Sequence, residues 1–198
     1  MENRIERLRG QHSDLSHKTP AQLARELIGT KRAQRDKCDA DVHHLGEAMN
    51  DFINDYLAAM IAAEELGGPV VGDMLNVEDN TLAAGFTKKG RAKSSKKPVS
   101  DKTRQRRIDQ IWGHKADAVA DAEDDEPPTE AEAADAEIRL LIENLFATLA
   151  GAGGGKAYFQ LERDSAASRF LVRAKIAQFH PKDARKLRLI DFGRELDD

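Results

Sequence analysis

One stretch limits the fold of this chain more than any other: residues 20–66 contain no proline after Pro20 and read as one helix. Thr19 is a favourable N-cap residue, and proline is well tolerated at the first position of a helix. Gly67-Gly68-Pro69 supplies the end, because glycine suits the position after a helix and proline cannot continue it. The sequence therefore predicts a long N-terminal helix.

Apolar side chains within this stretch recur at helical spacing. The main series, with steps of 3 or 4 residues, is Val42, Leu45, Met49, Phe52, Tyr56 and Met60. Ile53, Leu57 and Ile61 widen it. Such a stripe is typical of a helical bundle or a coiled coil, and we expect it to be a protein interface.

The part of the stretch that precedes this stripe is almost entirely polar over residues 31–41. Two interpretations stay open: the helix breaks near Gly29-Thr30, or it projects into solvent before it rejoins a core. Residues 70–86 contain apolar side chains without a clear period, which predicts a packed connector with room for one short helix.

Composition changes twice in the middle of the chain. Residues 87–115 hold eleven Lys or Arg against two Asp, and residues 116–137 hold ten acids and no base. Blocks this biased usually stay solvated and flexible, and these two can screen each other. We therefore expect a charged linker over 87–137 between an N-terminal helical region, 1–86, and a C-terminal helical region, 138–198.

The basic half of this linker is a candidate contact for a polyanion. Ser100 to Trp112 reads as an N-capped helix with a cationic side, and a lysine-rich arm precedes it. Such a cluster can neutralise phosphates and bind nucleic acid largely without regard to sequence, and Trp112 could stack on a base. Docking of a protein partner and a solvated linker are the alternatives. The candidate contact residues are Lys96, Lys97, Arg104, Arg106, Arg107 and Trp112.

The C-terminal region begins with a second amphipathic helix. Thr129 and Glu132 can form a capping box, and apolar residues recur at helical spacing from Ile138 to Leu149. Residues 151–155 are four glycines and an alanine, which predicts a hinge.

A strand-helix-turn-helix unit is expected to follow, with a strand at 158–161, helices at 166–179 and 182–196, and a turn at His180-Pro181. This order is compatible with a winged-helix or helix-turn-helix unit, whose second helix would enter a major groove through Arg185, Lys186 and Arg188. The alternative is a packed helical pair. The helix at 166–179 is apolar on nearly every side, which favours burial against another subunit through Phe170, Ile176 and Phe179.

Several classes of function are disfavoured. The sequence shows no signal peptide and no apolar run of about 20 residues for a membrane span. The lone Cys38 fits a reducing compartment, and closed zinc sites need about four ligands. The loop ending at Gly155-Lys156 departs from the phosphate-binding pattern, since Ala157 stands where Ser or Thr is needed. We expect a soluble cytoplasmic protein without enzymatic activity, cofactor or metal.

These observations predict a mainly α protein built from a long N-terminal bundle or coiled-coil helix, a second amphipathic helix and the C-terminal unit. The favoured function is a non-catalytic helical accessory or adaptor subunit of a larger intracellular assembly, bacterial or phage, that acts on nucleic acid. Its partner would be another protein subunit, with nucleic acid as a further partner through residues 88–112. The alternatives are a stand-alone DNA-binding regulator that uses the C-terminal unit and a self-associating scaffold, which would be a homo-oligomer.

Overall fold

The computed structural model describes residue 4 and residues 19–94, 100–113, 128–151 and 153–192. Within these ranges the protein is mainly helical, as predicted, and a small three-stranded antiparallel sheet lies near the C-terminus. The chain divides into two compact units, Met1–Asn50 and Asp51–Asp198. Lys96, Lys97 and the acidic run from 116 to 127 lie outside the described residues.

Helical residues continue without a break from Pro20 to Glu65. Helix α1 spans Pro20–Phe52, a π-helical turn spans Ile53–Leu57, and helix α2 spans Ala58–Glu65. Thr19 caps α1 as predicted: the Gln22 amide donates to its hydroxyl at 3.3 Å, and the Thr19 amide donates to the Gln22 side chain at 3.0 Å. The helix therefore does not break at Gly29-Thr30.

Three further helices lie in the second unit. Helix α3 spans Asp79–Ala84, α4 spans Asp101–Trp112, and α5 spans Glu130–Ala150. The predicted capping box at the start of α5 is confirmed, with reciprocal hydrogen bonds of 2.7 and 3.2 Å between Thr129 and Glu132. Helix α4 lies inside the segment expected to be a flexible linker, and its Ile108 is fully buried.

The C-terminal elements follow a short 3-10 turn at Gly154–Lys156. They are β1, Phe159–Gln160; α6, Ala166–Arg173; β2, Ala177–His180; and β3, Asp183–Leu189. The sheet order is β1-β3-β2, with both pairs antiparallel, and Pro181 lies in the turn of the β2–β3 hairpin.

The predicted helix at 166–179 is therefore wrong after Arg173, and the predicted helix at 182–196 is wrong over Asp183–Leu189, which form β3. Helix α6 stops at Arg173 because Lys175 adopts a φ of 57° and the Ile176 amide donates to the Leu171 carbonyl at 2.9 Å, a left-handed helix end. Glycine usually occupies such a position, so lysine hid the stop signal. The strand at 158–161 is confirmed, with β1 inside it.

The spacing of the apolar residues contributed to both of these wrong predictions. Ala177 and Phe179 on β2, and Leu187 and Leu189 on β3, alternate at the period of two that strands require. Joined to the apolar residues of α6, this alternation looked like a helix that is apolar on every side. The unit is thus strand-helix-hairpin, and the described residues contain no second helix after α6 that could enter a major groove.

One hydrophobic core holds the second unit together. Its most deeply buried large side chains come from the π turn, α2, α3, α4, α5 and β3; they are Ile53, Ile61, Leu82, Ile108, Ile138, Leu145 and Leu187. Helix α5 contacts α2, α4, α6 and β3, and so lies at the centre of this unit.

Candidate interaction surfaces

Helix α1 exposes its apolar stripe. Val42 and Leu45 are 68% and 69% exposed and Met49 is 41% exposed, and no residue of the 33 in α1 is buried. Leu27 and Ile28 nearer its start are exposed as well. We call Val42, Leu45 and Met49 the α1 stripe. It is a continuous apolar face at coiled-coil spacing that the described part of this chain leaves uncovered.

The predicted interface does not continue unchanged into the second unit. Phe52 and Tyr56 remain exposed, with ring centroids 6.3 Å apart, but Met60 is 4% exposed and belongs to the core. Ile53 and Leu57, which the sequence placed at the margin of the stripe, are buried. The π turn Ile53–Leu57 lies at this point of the chain.

Charge is distributed unevenly along α1. Residues 20–37 carry five Lys or Arg against two acids, and residues 38–50 carry three acids and no Lys or Arg. Arg35 pairs with Asp36 at 2.7 Å and His43 lies 3.4 Å from Glu47, all on exposed side chains. The α1 stripe therefore lies in an acidic stretch of the helix, whereas the preceding stretch is basic.

The basic helix α4 turns two of its three candidate arginines inward. Arg104 Nε lies 2.5 Å from Glu130 Oε2, and its guanidinium also contacts Asp79. Arg107 pairs with the other oxygen of Glu130 and donates to the Leu82 carbonyl at 3.1 Å. Glu130 is fully buried, so these two cations compensate its charge inside the protein. Arg106 is exposed.

Trp112 is also engaged within the fold. Its indole N–H donates to Glu137 Oε2 at 3.0 Å, and its ring packs against the core. Arg163 reaches the same oxygen at 2.5 Å. Burial raises the pKa of Glu137 above its ordinary value, and the charge of Arg163 opposes this effect without overcoming it. Trp112 is thus an anchor for α4 in this structure rather than an exposed platform.

A second set of ion pairs joins α2 to α6. Glu64 accepts from Arg169 at 3.0 Å, from Arg173 at 2.7 Å and from the Val71 amide at 3.0 Å. Burial raises the pKa of Glu64, but these hydrogen bonds outweigh burial and hold it below the ordinary value. Glu65 meanwhile accepts from the Ala166 amide at the start of α6. Both carboxylates stabilise the position of α6.

The bases that precede α4 have a different environment. Phe86 and Ala92 form an isolated antiparallel bridge, and the turn between them presents Lys88, Lys89 and Arg91 to solvent, with Lys93 following. No ion pair within the described part of the chain involves any of these four. We call residues 86–93 the basic hairpin.

The C-terminal candidates lie on β3 instead of a recognition helix. Arg185 is exposed, Lys186 pairs with Asp183 at 3.5 Å, and Arg188 lies over the Tyr158 ring, 4.9 Å from its centroid. Of the predicted C-terminal interface residues, Phe170 and Phe179 are half-buried against the core of this chain, while Ile176 is exposed.

Sequence reasoning missed two features. Glu130 reads as an ordinary acid in the first turn of a capped helix; the available signal was Arg104 and Arg107, three residues apart and so on one face of α4. The basic hairpin was read as a flexible arm, although Gly90 among the bases is a turn signal.

Two other classes of site are absent from the described residues. No group of three or more His, Cys, Asp or Glu in these ranges could hold a metal ion. None of the described helices is long and apolar enough to cross a membrane.

No family model and no curated protein matches the sequence. A similar solved structure is the crystal structure of the kinetochore subunits Cenp-H/I/K triple complex, one chain of which is 47% identical. The alignment covers 49% of this chain and 90% of that chain, with a TM-score of 0.32. A TM-score at this level does not establish a common fold.

Proposed function

We propose that this chain is a non-catalytic helical subunit that binds a second helical protein chain along the α1 stripe. The observation that carries the proposal is that α1 leaves all of its 33 residues unburied while Val42, Leu45 and Met49 share one face. A helix in a folded protein draws most of its stability from the packing of its apolar face. A partner that covers this face supplies that packing.

The energetic scale of such a contact is substantial. Complete burial of a Val, Leu or Met side chain contributes about 1.5–3 kcal/mol relative to full exposure. The α1 stripe alone therefore offers several kcal/mol to a partner, before the cost of association is subtracted.

The chemistry of the partner follows from the charges beside the stripe. Asp39 and Asp41 flank it on its two sides, Glu47 lies on the opposite face of the helix, and there is no Lys or Arg between residues 38 and 50. Charges at the margins of a coiled-coil seam govern partner choice. The complementary chain is an amphipathic helix with Lys or Arg beside its apolar residues.

Self-association is the second candidate, and the same charges favour it. Residues 20–37 carry a net charge of +3 and residues 38–50 a net charge of −3. Two copies of α1 in antiparallel orientation would place the basic stretch of each beside the acidic stretch of the other. The setting beyond the partner, a bacterial or phage assembly that acts on nucleic acid, stays a prediction from sequence.

The test uses Cys38, the single cysteine, which is exposed and lies four residues before Val42. A thiol-linked photocrosslinker at Cys38 captures whatever protein covers the stripe. Kinetochore subunits of the kind found in the similar complex are the first candidate partners to mix with the labelled chain. Light scattering on the purified chain distinguishes a second copy from a different protein.

A triple variant, Val42→Ser, Leu45→Ser and Met49→Ser, should lose the crosslinked product. The matched control replaces three exposed apolar residues of the second unit, Val70→Ser, Leu75→Ser and Leu140→Ser, and should keep it. A monomeric chain that forms no Cys38 crosslink with any protein, in its native cell extract or with the offered subunits, would refute the proposal.

A further inference from the structure

The structure divides the basic segment into an inward part and an outward part. Arg104 and Arg107 on α4 are committed to Glu130, whereas Lys88, Lys89, Arg91 and Lys93 of the basic hairpin point away from the core. Only the outward part has the exposure that contact with a large anionic partner requires. This division is independent of the α1 stripe.

The basic hairpin is held in place by its own backbone. The Thr87 amide donates to the Arg91 carbonyl at 2.8 Å, and the Gly90 amide donates to the Thr87 carbonyl at 2.9 Å. Gly90 adopts a φ of 72°, which other residues rarely accept. The Lys93 amide closes the base of the hairpin on the Gly85 carbonyl at 3.0 Å.

The hairpin is also anchored to the core. Phe86 at its base is buried and belongs to the hydrophobic cluster of the second unit. A Cβ atom at Gly68 would lie 2.9 Å from the Phe86 ring, so this ring is packed directly against the backbone of the neighbouring turn. Four cations are therefore displayed on a support whose conformation is already fixed, which lowers the entropy lost on binding.

We propose that the basic hairpin binds the phosphate backbone of a nucleic acid without sequence preference. Residues 87–93 include four Lys or Arg and no acid, which suits a polyanion with regularly spaced charges. The same residues include no aromatic or large aliphatic side chain. Protein interfaces depend on such anchors and are depleted in Lys, so an acidic protein surface fits this hairpin less well.

The test is fluorescence anisotropy of the full-length chain with a labelled mixed-sequence DNA duplex across salt concentrations. Each phosphate contact contributes about 0.9 to the slope of log affinity against log salt. Four contacts predict that affinity falls on the order of 100-fold between about 50 and about 200 mM salt. A duplex of scrambled sequence should bind equally well.

The hairpin variant is Lys88→Gln, Lys89→Gln and Arg91→Gln, at exposed positions that leave the core intact. It should bind weakly and lose only about 4-fold in affinity over the same salt range. The matched control removes three charges from other exposed positions of the second unit, with Lys156→Gln, Lys175→Gln and Lys182→Gln, and should keep the original slope. Circular dichroism verifies that both variants are folded.

Three outcomes would overturn the inference. One is an equal loss of slope in the lysine control, which would indicate a response to net charge alone. Another is binding to a polyglutamate of equal charge as tight as to DNA, which would favour an acidic protein. The third is no detectable binding of the wild-type chain at about 50 mM salt. None of these depends on whether a protein covers the α1 stripe.

Discussion

Helices α1 and α5 carry the same sequence pattern and have opposite environments. In both, apolar residues recur every three or four positions, yet Leu145 of α5 is 1% exposed and Leu45 of α1 is 69% exposed. Helix α1 contains Gly29 and Gly46, whereas α5 has no glycine between Glu130 and Ala150. The core of the second unit stabilises α5, whereas no residue of α1 is buried and its sequence contains two glycines.

The contrast shows what periodicity can and cannot establish. A spacing of three and four residues predicts that a helix forms and which face seeks burial. It does not say whether the covering surface is in the same chain. For α5 the cover is α2 and the sheet; no residue of α1 is buried, and the partner that would cover it is our proposal.

The largest expected effect comes from replacing the two matched leucines. Leu145→Ala should lower the free energy of unfolding by about 2–5 kcal/mol, since it opens a cavity in a packed core. Leu45→Ala should change it by no more than about 0.5 kcal/mol in the isolated chain. Urea unfolding followed by circular dichroism measures both. A comparable loss for Leu45→Ala would mean that α1 is covered within the chain after all.

The next effect concerns charge at the same two helices. Glu130→Ala should cost about 3 kcal/mol, because it leaves Arg104 and Arg107 without their shared carboxylate in a largely buried site. This loss of unfolding free energy is at the lower end of the range for buried ion pairs, because both arginine side chains keep some contact with solvent. Glu47→Ala on α1, where the carboxylate is exposed, should cost less than about 0.5 kcal/mol. Equal costs in urea unfolding would contradict the assignment.

A smaller effect should appear at an interior glycine of α1. A Cβ atom at Gly46 would meet nothing within 4 Å, so Gly46→Ala should stabilise the helix by about 0.5–1 kcal/mol. Hydrogen exchange of the α1 amides is the suitable measurement, since it reports on local opening. Unchanged protection would indicate that a partner, rather than backbone propensity, limits the opening of α1.

The smallest effect is a dependence on pH with opposite signs at two half-buried carboxylates. Folding lowers the pKa of Glu64 below its ordinary value of 4.5. The ionised Glu64 side chain therefore contributes fully to stability above pH 4.5, and this contribution is lost as the pH falls through the pKa of the folded protein. The advantage of wild type over Glu64→Gln in urea unfolding should therefore shrink on acidification below pH 4.5.

Glu137 should behave in the reverse sense. Its pKa is raised on folding, so ionisation opposes the fold, and wild type should lose stability relative to Glu137→Gln as pH rises from 4.5 through the folded value. Parallel pH profiles for the two variants would contradict these assignments.

Sequence reasoning succeeded where the signal was local. The capping residues Thr19 and Thr129 begin α1 and α5 as expected, because a cap is a contact between neighbours three residues apart. It failed after Arg173, because the helix stop is formed by a lysine in a left-handed conformation. Lys186 pairs with Gln160 of β1, more than twenty residues earlier in the sequence, whereas Arg188 pairs with Gln178 across the β2–β3 hairpin.

The α1 stripe and the basic hairpin were not equally predictable from the sequence, because one depends on neighbouring residues and the other on distant ones. The α1 stripe could be identified because its residues lie on one helix. The division of the basic segment could not, since it depends on Glu130, more than twenty residues after the arginines that it holds. Charge composition alone cannot distinguish a base that neutralises a buried acid from one that faces solvent.

The contacts between α4 and α5 make the covalent connection between them dispensable. Arg104 and Arg107 hold Glu130, and Trp112 holds Glu137, so both ends of residues 113–128 are fixed by non-covalent bonds. A chain cleaved within this span should persist as one folded species made of two fragments. The same span is the place to open new termini in a circular permutant, with the original ends joined by a linker.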